Sequence, residues 1–460
     1  MTATSHDPNL AAAFRRQVAI DAAAPALVID DDVWTRGELA AKANGAINRL
    51  LGLGLHAGDR VIAQYDTSAD DVALAVAAAH LGLVLVPVPK RLGTLEINHL
   101  MQRSQASLFA FHGAAPPAGI RPPDGARTAS TASITAQDDT VTSAPVACTD
   151  VDRSEVALIG VTSGSTGQPK GVMHSFRTMI SVADGLQQLF PVSSDERMLS
   201  YLPLAHVAER AAVETQSLYY GFHLYFANSL DTFQEDLQRA RPTLFFSVPR
   251  LWMKFYLGVN AKLPPKKQKL LFSLPIISGL VKKKALKQLG LDYCRAALTG
   301  AAPLSADIVN WYRNLGLELL EVYGMSENFG YSHANRPGQA RAGSVGMANP
   351  GVEHRIGEGG EVQVKSPGQM LGYYKNEEKT KEDLTEDGFL KTGDMGEIDR
   401  DGTLRITGRV KDLFKTSKGK YVVPVPIENR FNHPKAEVVC VAGANQPQPC
   451  LMVLLSLLGA

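Results

Sequence analysis

Apolar and polar positions along residues 28–112 follow two alternating periods, one helical and one extended. Residues 34–50 carry apolar side chains at helical spacing, and residues 70–83 form an alanine-rich stretch that also favours a helix. Residues 60–65 and 84–89 are short apolar runs, typical of buried strands. Because strands that alternate with helices usually form parallel βαβ units, this pattern predicts an α/β fold.

The pattern changes at later points in the chain. Residues 113–151 are rich in Ala, Pro, Thr, Ser and Asp, which predicts a loose, exposed loop. Alternating strands and helices resume at Val156 and continue to about Asp399, where short strands and turns take over. We therefore predict a large α/β domain over residues 1–408, with two βαβ-type subdomains and a small β-structured portion, followed by a smaller domain over residues 409–460.

Residues 262–287 contain eight lysines and no acidic residue, interleaved with an apolar run over residues 270–277. Two interpretations fit this segment. A basic amphipathic segment lies readily on an anionic membrane surface. Alternatively, a helical hairpin packs its apolar face on its own domain and turns its lysines to water. The pattern alone favours the hairpin, and membrane contact through this segment stays open.

Composition narrows the class of protein. A chain of 460 residues predicts two or three domains, and the net charge of +1 gives no reason to expect nucleic acid. The four cysteines lack a C-x-x-C pair, which argues against a zinc site or a disulfide framework and favours a reducing compartment. The N-terminus lacks the apolar core of a secretion signal, and no run reaches about 18 apolar residues. We therefore expect a cytoplasmic protein.

A loop rich in glycine and hydroxyl residues carries the clearest chemical signal. The residues from Thr162 to Gln168 are all Gly, hydroxyl or amide residues, directly after the apolar run 156–161 and shortly before Lys170. Glycines let backbone N–H groups turn toward an anion, hydroxyls add donors, and the lysine adds a charge. The spacing differs from the G-x-x-x-x-G-K-[ST] nucleotide loop. By itself the segment is also compatible with an ordinary surface loop.

Four further segments follow this loop in order. Each has an ordinary structural alternative, such as a core histidine for His206, a solvated acid for Glu327 or a turn aspartate for Asp394. Small residues after a strand at Gly300 leave room for a flat ring, and an acid beside phosphates is a natural magnesium ligand. The segments are Tyr201–Arg210, residues 298–304, Leu320–Glu327, and the pair formed by Gly388–Asp394 and Gly408–Asp412.

The ordered set resembles the AMP-forming adenylating superfamily of acyl-CoA synthetases, luciferases and peptide-synthetase adenylation domains. The resemblance is carried by Thr-Ser-Gly-Ser-Thr-Gly-Gln-Pro-Lys-Gly, Tyr-Gly-Met-Ser-Glu, Thr-Gly-Asp and Gly-Arg-Val-Lys-Asp. Within that superfamily, Tyr-Leu-Pro-Leu-Ala-His-Val-Ala-Glu-Arg, Thr-Gly-Ala-Ala-Pro-Leu-Ser and Lys-Asp-Leu-Phe-Lys-Thr-Ser-Lys-Gly-Lys-Tyr-Val are similar to long-chain fatty acyl-CoA synthetases. The resemblance is firm over residues 156–430 and looser over 28–112.

The resemblance implies a role for each matching residue. The phosphate loop would bind the β- and γ-phosphates of ATP, and Glu327 would bind Mg²⁺ with Thr162 as a possible second ligand. His206 would lie where the carboxylate enters, near an acyl tunnel. Lys415 would face the active site only in the second step, after a hinge at Lys411. The implied nucleotide-binding set is Thr162, Ser163, Gly164, Ser165, Thr166, Gly167, Lys170, Gly300, Ala301, Ala302, Tyr323, Gly324, Ser326, Glu327, Asp394 and Arg409.

These roles imply an enzyme that converts a fatty acid and ATP to an acyl-adenylate and then, with coenzyme A, to acyl-CoA and AMP. The catalytic residues would be Thr162, Lys170, His206, Glu327 and Lys415. One alternative is a ligase that loads the acyl group onto a carrier protein. Another is a nucleotide- or acyl-binding module with impaired catalysis. With a lipid substrate, contact of residues 262–287 with the inner face of a membrane becomes more plausible, whereas the oligomeric state is not predicted.

The C-terminal part departs from that family. Its lid is usually an α+β domain that is considerably longer and carries an adenylation lysine near its end. Here 50 residues, 411–460, follow the hinge position, and no lysine follows Lys435. We therefore expect a truncated α+β lid, either in a fragment of a longer protein or in a shortened relative with impaired adenylation.

Overall fold

A computed structural model describes residues 7, 9–136, 148–149, 152–163, 169–428, 431 and 436–455. The helices are α1 Leu10–Ile20, α2 Arg36–Gly52, α3 Ala69–Leu81, α4 Thr94–Ser104, α5 Thr131–Thr135, α6 Phe176–Leu189, α7 Val207–Glu209, α8 Thr215–Tyr220, α9 Phe233–Ala240, α10 Pro249–Lys262, α11 Pro265–Ser273, α12 Pro275–Leu289, α13 Ala306–Leu315, α14 Glu377–Asp383 and α15 Pro424–Glu428. A π-helical turn, Arg210–Glu214, joins α7 to α8.

The strands are β1 Pro25–Ile29, β2 Asp32–Thr35, β3 Arg60–Tyr65, β4 Val84–Pro89, β5 Leu108–Phe111, β6 Arg127–Ser130, β7 Val156–Ser163, β8 Pro169–Ser175, β9 Arg197–Ser200, β10 His223–Phe226, β11 Leu244–Ser247, β12 Ala296–Thr299, β13 Leu319–Tyr323, β14 His333–Ala334, β15 Gly346–Ala348, β16 Glu353–Ile356, β17 Glu361–Lys365, β18 Gly372–Tyr373, β19 Leu390–Ile398, β20 Thr403–Arg409, β21 Phe414–Lys415, β22 Tyr421–Val422, β23 Ala436–Ala442 and β24 Cys450–Leu455.

The chain divides into two compact units. The first unit comprises residues 1–243, 325–330 and 367–380, and the second comprises residues 244–324 and 331–366 together with everything from Lys381 onward. The first unit contains a seven-stranded sheet in the order β18-β8-β7-β4-β3-β5-β6 and a four-stranded sheet in the order β2-β1-β10-β9.

Parallel βαβ units build the seven-stranded sheet. β3 pairs in parallel with both β4 and β5, and α3 connects β3 to β4. α3 begins with a capping box in which Ser68 and Asp71 satisfy each other's backbone N–H groups, and it ends at Gly82 in the left-handed conformation. Ile62, Val86 and Phe109 belong to the apolar core over this sheet. The helices and strands predicted over residues 34–89 are confirmed, to within two residues at their ends.

β7 and β8 form an antiparallel hairpin toward one edge of this sheet, between β18 and β4. Thr162 lies opposite Lys170, and Ser163 lies opposite Pro169. The register shifts once, between Val156 and Leu158, where a β-bulge takes up one extra residue. The strand predicted before the glycine-rich loop is therefore present, but the next strand returns beside it instead of following a helix.

The second unit is built on a nine-stranded sheet in the order β11-β12-β13-β14-β15-β20-β19-β17-β16. β11, β12 and β13 are parallel, and the remaining strands are antiparallel. Trp252 is fully buried beside the parallel strands, where its ring packs edge-on against Phe245 and Tyr312. Asp394 on β19 pairs with Arg409 on β20. The mixed α/β class predicted from the sequence is confirmed in both units.

The remaining sequence predictions concern the loop over residues 113–151, the division at residue 409, the cysteines and membrane-spanning helices. The loop predicted over residues 113–151 contains β6 and α5, while residues 137–147, 150 and 151 lie outside the described residues. β20 runs up to the predicted boundary at residue 409, and the division into 1–408 and 409–460 stays a prediction. All four cysteines are free thiols. Across the described part of the chain, every helix is too short or too polar to span a bilayer.

Candidate functional site

A cavity of about 220 Å³ in the first unit combines polar groups with an apolar wall. The hairpin β7–β8 supplies Thr162 and His174, the segment leading into α7 supplies His206, and the turn after it supplies Arg210. Such a mixture suits a ligand with one charged end and one apolar end. The lining residues are Pro87, Leu158, Gly160, Val161, Thr162, Val172, His174, Ala205, His206, Val207, Arg210 and Ser326.

His206 is the N-cap residue of α7, and its backbone N–H donates to the carbonyl of Pro203 at 2.8 Å. Partial desolvation lowers the pKa of its imidazole, and the positive charge of Arg91 lowers it further. The ring is therefore neutral at neutral pH. It offers the cavity one hydrogen-bond donor and one acceptor instead of a fixed positive charge.

A buried ion pair lies behind His206, in the π-helical turn. Arg210 Nη1 lies 2.6 Å from Glu214 Oε2, and both side chains are almost completely inaccessible to solvent. The guanidinium also lies 4.9 Å from the ring centre of Tyr65. π-helical turns are rare and occur frequently at functional sites. The pair places the positive charge of Arg210, balanced by the Glu214 carboxylate, in the wall of the cavity. Arg210 also lines a second, apolar cavity together with Leu158.

Glu209 is buried next to this pair, and its Oε1 accepts a 2.6 Å hydrogen bond from the Ser200 hydroxyl. Burial raises the pKa of Glu209 to about 8, only partly opposed by that hydrogen bond. At neutral pH the side chain is therefore mostly protonated.

Lys170, Tyr373 and Glu327 meet at one side of the hairpin. The Lys170 ammonium lies 5.0 Å from the ring centre of Tyr373, and the Tyr373 hydroxyl donates to Glu327 Oε1 at 2.9 Å. This arrangement brings a cation to the ring of one phenol and a carboxylate to its hydroxyl. Ser163 belongs to the strand β7, and the predicted phosphate-loop residues Gly164, Ser165, Thr166 and Gly167 lie outside the described residues.

His174 connects the hairpin to Ser326. Its Nε2 donates to the backbone carbonyl of Ser326 at 2.7 Å, and its ring lies 5.0 Å from that of Phe329. Burial lowers the pKa of His174 to about 4, so the ring is neutral at physiological pH. The histidine therefore holds the Ser326 backbone beside the cavity through a hydrogen bond, not through charge.

In the second unit, Asp394 is the centre of a separate cluster. Tyr323 donates from its hydroxyl to Asp394 Oδ2 at 2.7 Å, and Arg409 Nε lies 3.3 Å from Oδ1. Gly393, with a φ of +72°, turns the chain before Asp394. Burial raises the pKa of Asp394, and the bonds from Tyr323 and Arg409 partly oppose that rise. Each carboxylate oxygen still has a lone pair for another donor.

Gly300, Ala301 and Ala302 follow the end of β12, in the second unit. A Cβ at position 300 would lie 3.0 Å from Val322 Cγ2, so the strand β13 leaves little room for a side chain there. Ala301 adopts a left-handed φ of +70°, which is uncommon for alanine, and its side chain is exposed. The turn therefore exposes backbone with little side-chain cover, as a flat ligand requires. Gly324 comes directly after β13.

Lys415 lies on the small β21–β22 hairpin of the second unit, with its ammonium 5.3 Å from the ring centre of Tyr421. The structure thus brings Thr162, His206 and Ser326 to one cavity, and it brings Lys170 and Glu327 to the same tyrosine. It brings Tyr323, Asp394 and Arg409 together in the second unit. Within the described residues, no group of three His, Cys, Asp or Glu side chains could hold a metal ion by itself.

Four residues of these clusters, His174, Arg210, Glu214 and Tyr373, received no role from the sequence. His174 follows the apolar pair Val172 and Met173 in β8, which is only a weak signal. Arg210 and Glu214 are four residues apart in an otherwise apolar helical segment, which indicates a pair but not its burial. Tyr373 lies far from Glu327 in the sequence, and nothing in its own neighbourhood predicts that contact.

Comparison with known proteins identifies the family of the chain. Residues 14–374 match the family described as AMP-binding enzyme. The chain is 31% identical to the long-chain-fatty-acid–CoA ligase FadD15 of Mycobacterium bovis, over 91% of this chain and 77% of that protein. It is 36% identical to the long-chain-fatty-acid–CoA ligase ACSBG2 of Gallus gallus, over 58% of this chain and 40% of that protein.

Solved structures of similar fold are also known. ATP-bound MatB from Rhodopseudomonas palustris is 26% identical, with a TM-score of 0.79 over 97% of this chain and 88% of MatB. A fatty acyl CoA synthetase of Mycobacterium tuberculosis is 24% identical, with a TM-score of 0.77 over 98% of this chain and 88% of the other. At 24% identity, the likeness to the Mycobacterium tuberculosis protein concerns the fold alone.

Proposed function

The chain belongs to the AMP-binding enzyme family of adenylating ligases, and from this premise we propose that it activates a long-chain fatty acid in two steps. The carboxylate first reacts with ATP to form an acyl-adenylate and pyrophosphate. Coenzyme A then takes the acyl group and releases AMP. The names of the curated relatives FadD15 and ACSBG2 support a long-chain acid and coenzyme A as the substrates.

The observation that carries the proposal is the cavity of the first unit. A fatty acid has one anionic end and a long apolar chain, and the cavity offers hydrogen-bonding groups at Thr162, His206 and Ser326 beside an apolar wall. At about 220 Å³ it is smaller than the usual ligand pocket of roughly 300–1,000 Å³. It therefore suits the reacting end of the acid, and the rest of the chain needs further space.

We assign the phosphate-binding role to the first unit. Thr162, Lys170 and the residues 163–168 bind the β- and γ-phosphates, and Ser326 approaches the α-phosphate. Glu327 fits a magnesium site, because Mg²⁺ is commonly held by one or two carboxylates together with substrate phosphates. Tyr373 occupies only one oxygen of Glu327, which leaves the other for the ion. When bound, Mg²⁺ neutralises phosphate charge during the displacement.

We assign the nucleoside-binding role to the second unit. The exposed backbone at Gly300, Ala301 and Ala302 takes the adenine, and Tyr323 stacks on it. Asp394 accepts hydrogen bonds from the ribose hydroxyls, assisted by Arg409. Gly324, directly after β13, belongs to the same proposed nucleotide-binding set.

In the first step, a carboxylate oxygen attacks the α-phosphorus while the bond to the pyrophosphate oxygen breaks. The neutral His206 donates a hydrogen bond that orients the carboxylate, and Lys170 balances the charge on the departing pyrophosphate. In the second step, the coenzyme A thiol attacks the acyl carbonyl and AMP leaves. Lys415 belongs to this step, after rotation of the part that follows the hinge at Lys411, as in the related family.

Fatty-acid-dependent ATP–pyrophosphate exchange, measured over acids from acetate to oleate, tests the proposal. We expect exchange with the long acids and its loss in Glu327→Ala. ATP binding without exchange for any acid would contradict the proposal and favour a binding module. Supplying coenzyme A or a pantetheine carrier protein to the loaded enzyme then identifies the acceptor, and transfer to the carrier alone would overturn the coenzyme A step.

A further inference from the structure

The lysine-rich segment over residues 262–287 forms a helical hairpin, α11 and α12, that exposes apolar side chains to solvent. Leu270 is 63% exposed and Leu280 is 68% exposed, which is unusual for large aliphatic residues in a folded unit. Leu274 and Ile277, between them in sequence, are also exposed. Packing on the second unit therefore leaves several apolar side chains of the hairpin exposed to solvent.

The hairpin is nevertheless fixed to the second unit. The buried Gln268 on α11 accepts a 2.8 Å hydrogen bond from Trp311 Nε1 and donates to the carbonyl of Leu263 at 2.7 Å. Trp311 in turn packs edge-on against Tyr256 on α10. One face of α11 is thus held in place, so Leu270 on the same helix occupies a defined position on the surface. The interpretation of this segment as a hairpin that packs its apolar face on its own domain therefore describes only this face of α11.

The charge of the hairpin has a single sign. Its seven lysines and Lys262, which ends α10, make eight lysines with no acidic residue among them, whereas the whole chain has a net charge of only +1. Seven of the lysines are exposed, and Lys282 lies 5.0 Å from the ring centre of Phe272. Such a cluster attracts an anionic surface, and each lysine near an anionic bilayer strengthens binding by about fivefold.

We propose that the α11–α12 hairpin docks the protein on the headgroup region of an anionic lipid bilayer. Leu270, Leu280 and their neighbours enter the boundary with the acyl chains, while the lysines contact lipid phosphates. A second copy of the chain would bring a second cluster of lysines against the first, and like charges would oppose that contact. A soluble polyanion would match the lysines but would gain little from the leucines. A bilayer matches both.

This inference goes beyond the proposed reaction and does not depend on it. Flotation with phosphatidylcholine vesicles, with and without phosphatidylglycerol, tests it directly. We expect binding only when the anionic lipid is present, with weaker binding at high salt because exposed charges are screened. Equal binding to both kinds of vesicle, or binding to neither, would overturn the proposal.

Matched variants separate the two contributions. Leu270→Asp with Leu280→Asp should weaken vesicle binding by at least about tenfold, because two apolar side chains no longer enter the bilayer. Lys283→Glu with Lys284→Glu should weaken it to a similar extent. The control is Leu95→Asp with Leu230→Asp in the first unit, where the leucines are 85% and 87% exposed. This control should bind like the unmodified chain.

Three outcomes would overturn the proposal. Binding that survives the leucine variant but not the lysine variant would identify a site for a soluble polyanion. A dimer in analytical ultracentrifugation that only the leucine variant dissociates would identify a second copy as the partner. Equal weakening in the control would show that any added acid disturbs binding. Circular dichroism of all three variants verifies that each is folded.

Discussion

The Tyr373 hydroxyl donates a 2.9 Å hydrogen bond to Glu327 Oε1, while the Lys170 ammonium lies 5.0 Å from the centre of the same ring. Tyr373 is buried, and its strand β18 pairs with β8 in the seven-stranded sheet, which holds its backbone in place. One phenol thereby sets the position of the acid and lies beside the lysine. The two charges stay separate instead of collapsing into an ion pair, so both remain available to a ligand.

We expect Tyr373→Phe to weaken magnesium-dependent adenylation without abolishing it. Loss of one hydrogen bond to a carboxylate corresponds to roughly 1.5–3 kcal/mol, so the magnesium concentration for half-maximal exchange should rise by about tenfold or more. Tyr374→Phe is the matched control, since the Tyr374 hydroxyl donates to the carbonyl of Ser104 at 3.2 Å, within the same unit. An unchanged magnesium titration in Tyr373→Phe would refute the positioning role.

His174→Leu should lower stability by about 1–3 kcal/mol, because the variant removes the donor to the Ser326 carbonyl. It should also raise the KM for ATP, since the Ser326 backbone loses its support. His174→Gln keeps a donor at this position and should recover part of both effects. Urea denaturation and exchange kinetics measure the two effects. Loss of stability without any change in KM would leave His174 a structural residue only.

Asp394→Asn should raise the KM for ATP by about tenfold, because an amide accepts hydrogen bonds more weakly than a carboxylate and lacks its charge. Arg409→Gln should have a smaller effect, because the Arg409 side chain is 68% exposed and water screens its charge. Steady-state kinetics at saturating fatty acid measure both variants. A larger effect at Arg409 than at Asp394 would reverse the assigned roles.

Glu209 makes stability depend on pH. Because burial raises the pKa of Glu209 from 4.5 to about 8, the folded chain keeps a proton that the unfolded chain loses at lower pH. The stabilising contribution is complete below about pH 4.5 and is lost as pH rises to about 8, with a slope on the order of 1 kcal/mol per pH unit.

Glu209→Gln should therefore flatten the fall in stability between about pH 5 and pH 8, relative to the unmodified chain. Denaturant titrations at several pH values measure the slope. Glu397→Gln on β19 serves as the control, since Glu397 is exposed and should leave the slope unchanged. Parallel pH profiles for Glu209→Gln and the unmodified chain would show that Glu209 is ionised in the fold.

Local sequence patterns predict much of the fold where the spacing of apolar residues and the composition of a segment favour the same element. β3 and β4 are short apolar runs, and α3 between them is rich in alanine, so period and composition agree. The return of β8 beside β7 was not predicted, because the glycine-rich loop between them signals a turn but not its direction. The small elements β6 and α5 lie in a stretch whose composition resembles a loop, and tertiary pairing with β5 decides their conformation.

The candidate site was predictable where one short segment carries several functional groups. Tyr323, Ser326 and Glu327 lie within five positions, so the motif itself names them. His174 and Tyr373 act on Ser326 and Glu327 from distant parts of the chain, and only the fold creates those contacts. Likewise, the basic composition of residues 262–287 is plain in the sequence, whereas the exposure of Leu270 and Leu280 is not.

The bulge between Val156 and Leu158 has a consequence for how length variation is tolerated. It separates the register at the start of β7 from the register at its end, where Thr162 faces Lys170. An insertion or deletion near Ala157 can be absorbed there, whereas a one-residue slip between Val161 and Gly171 would turn both side chains to the opposite face. Relatives that differ in length should therefore vary at the beginning of this hairpin and keep its tip unchanged.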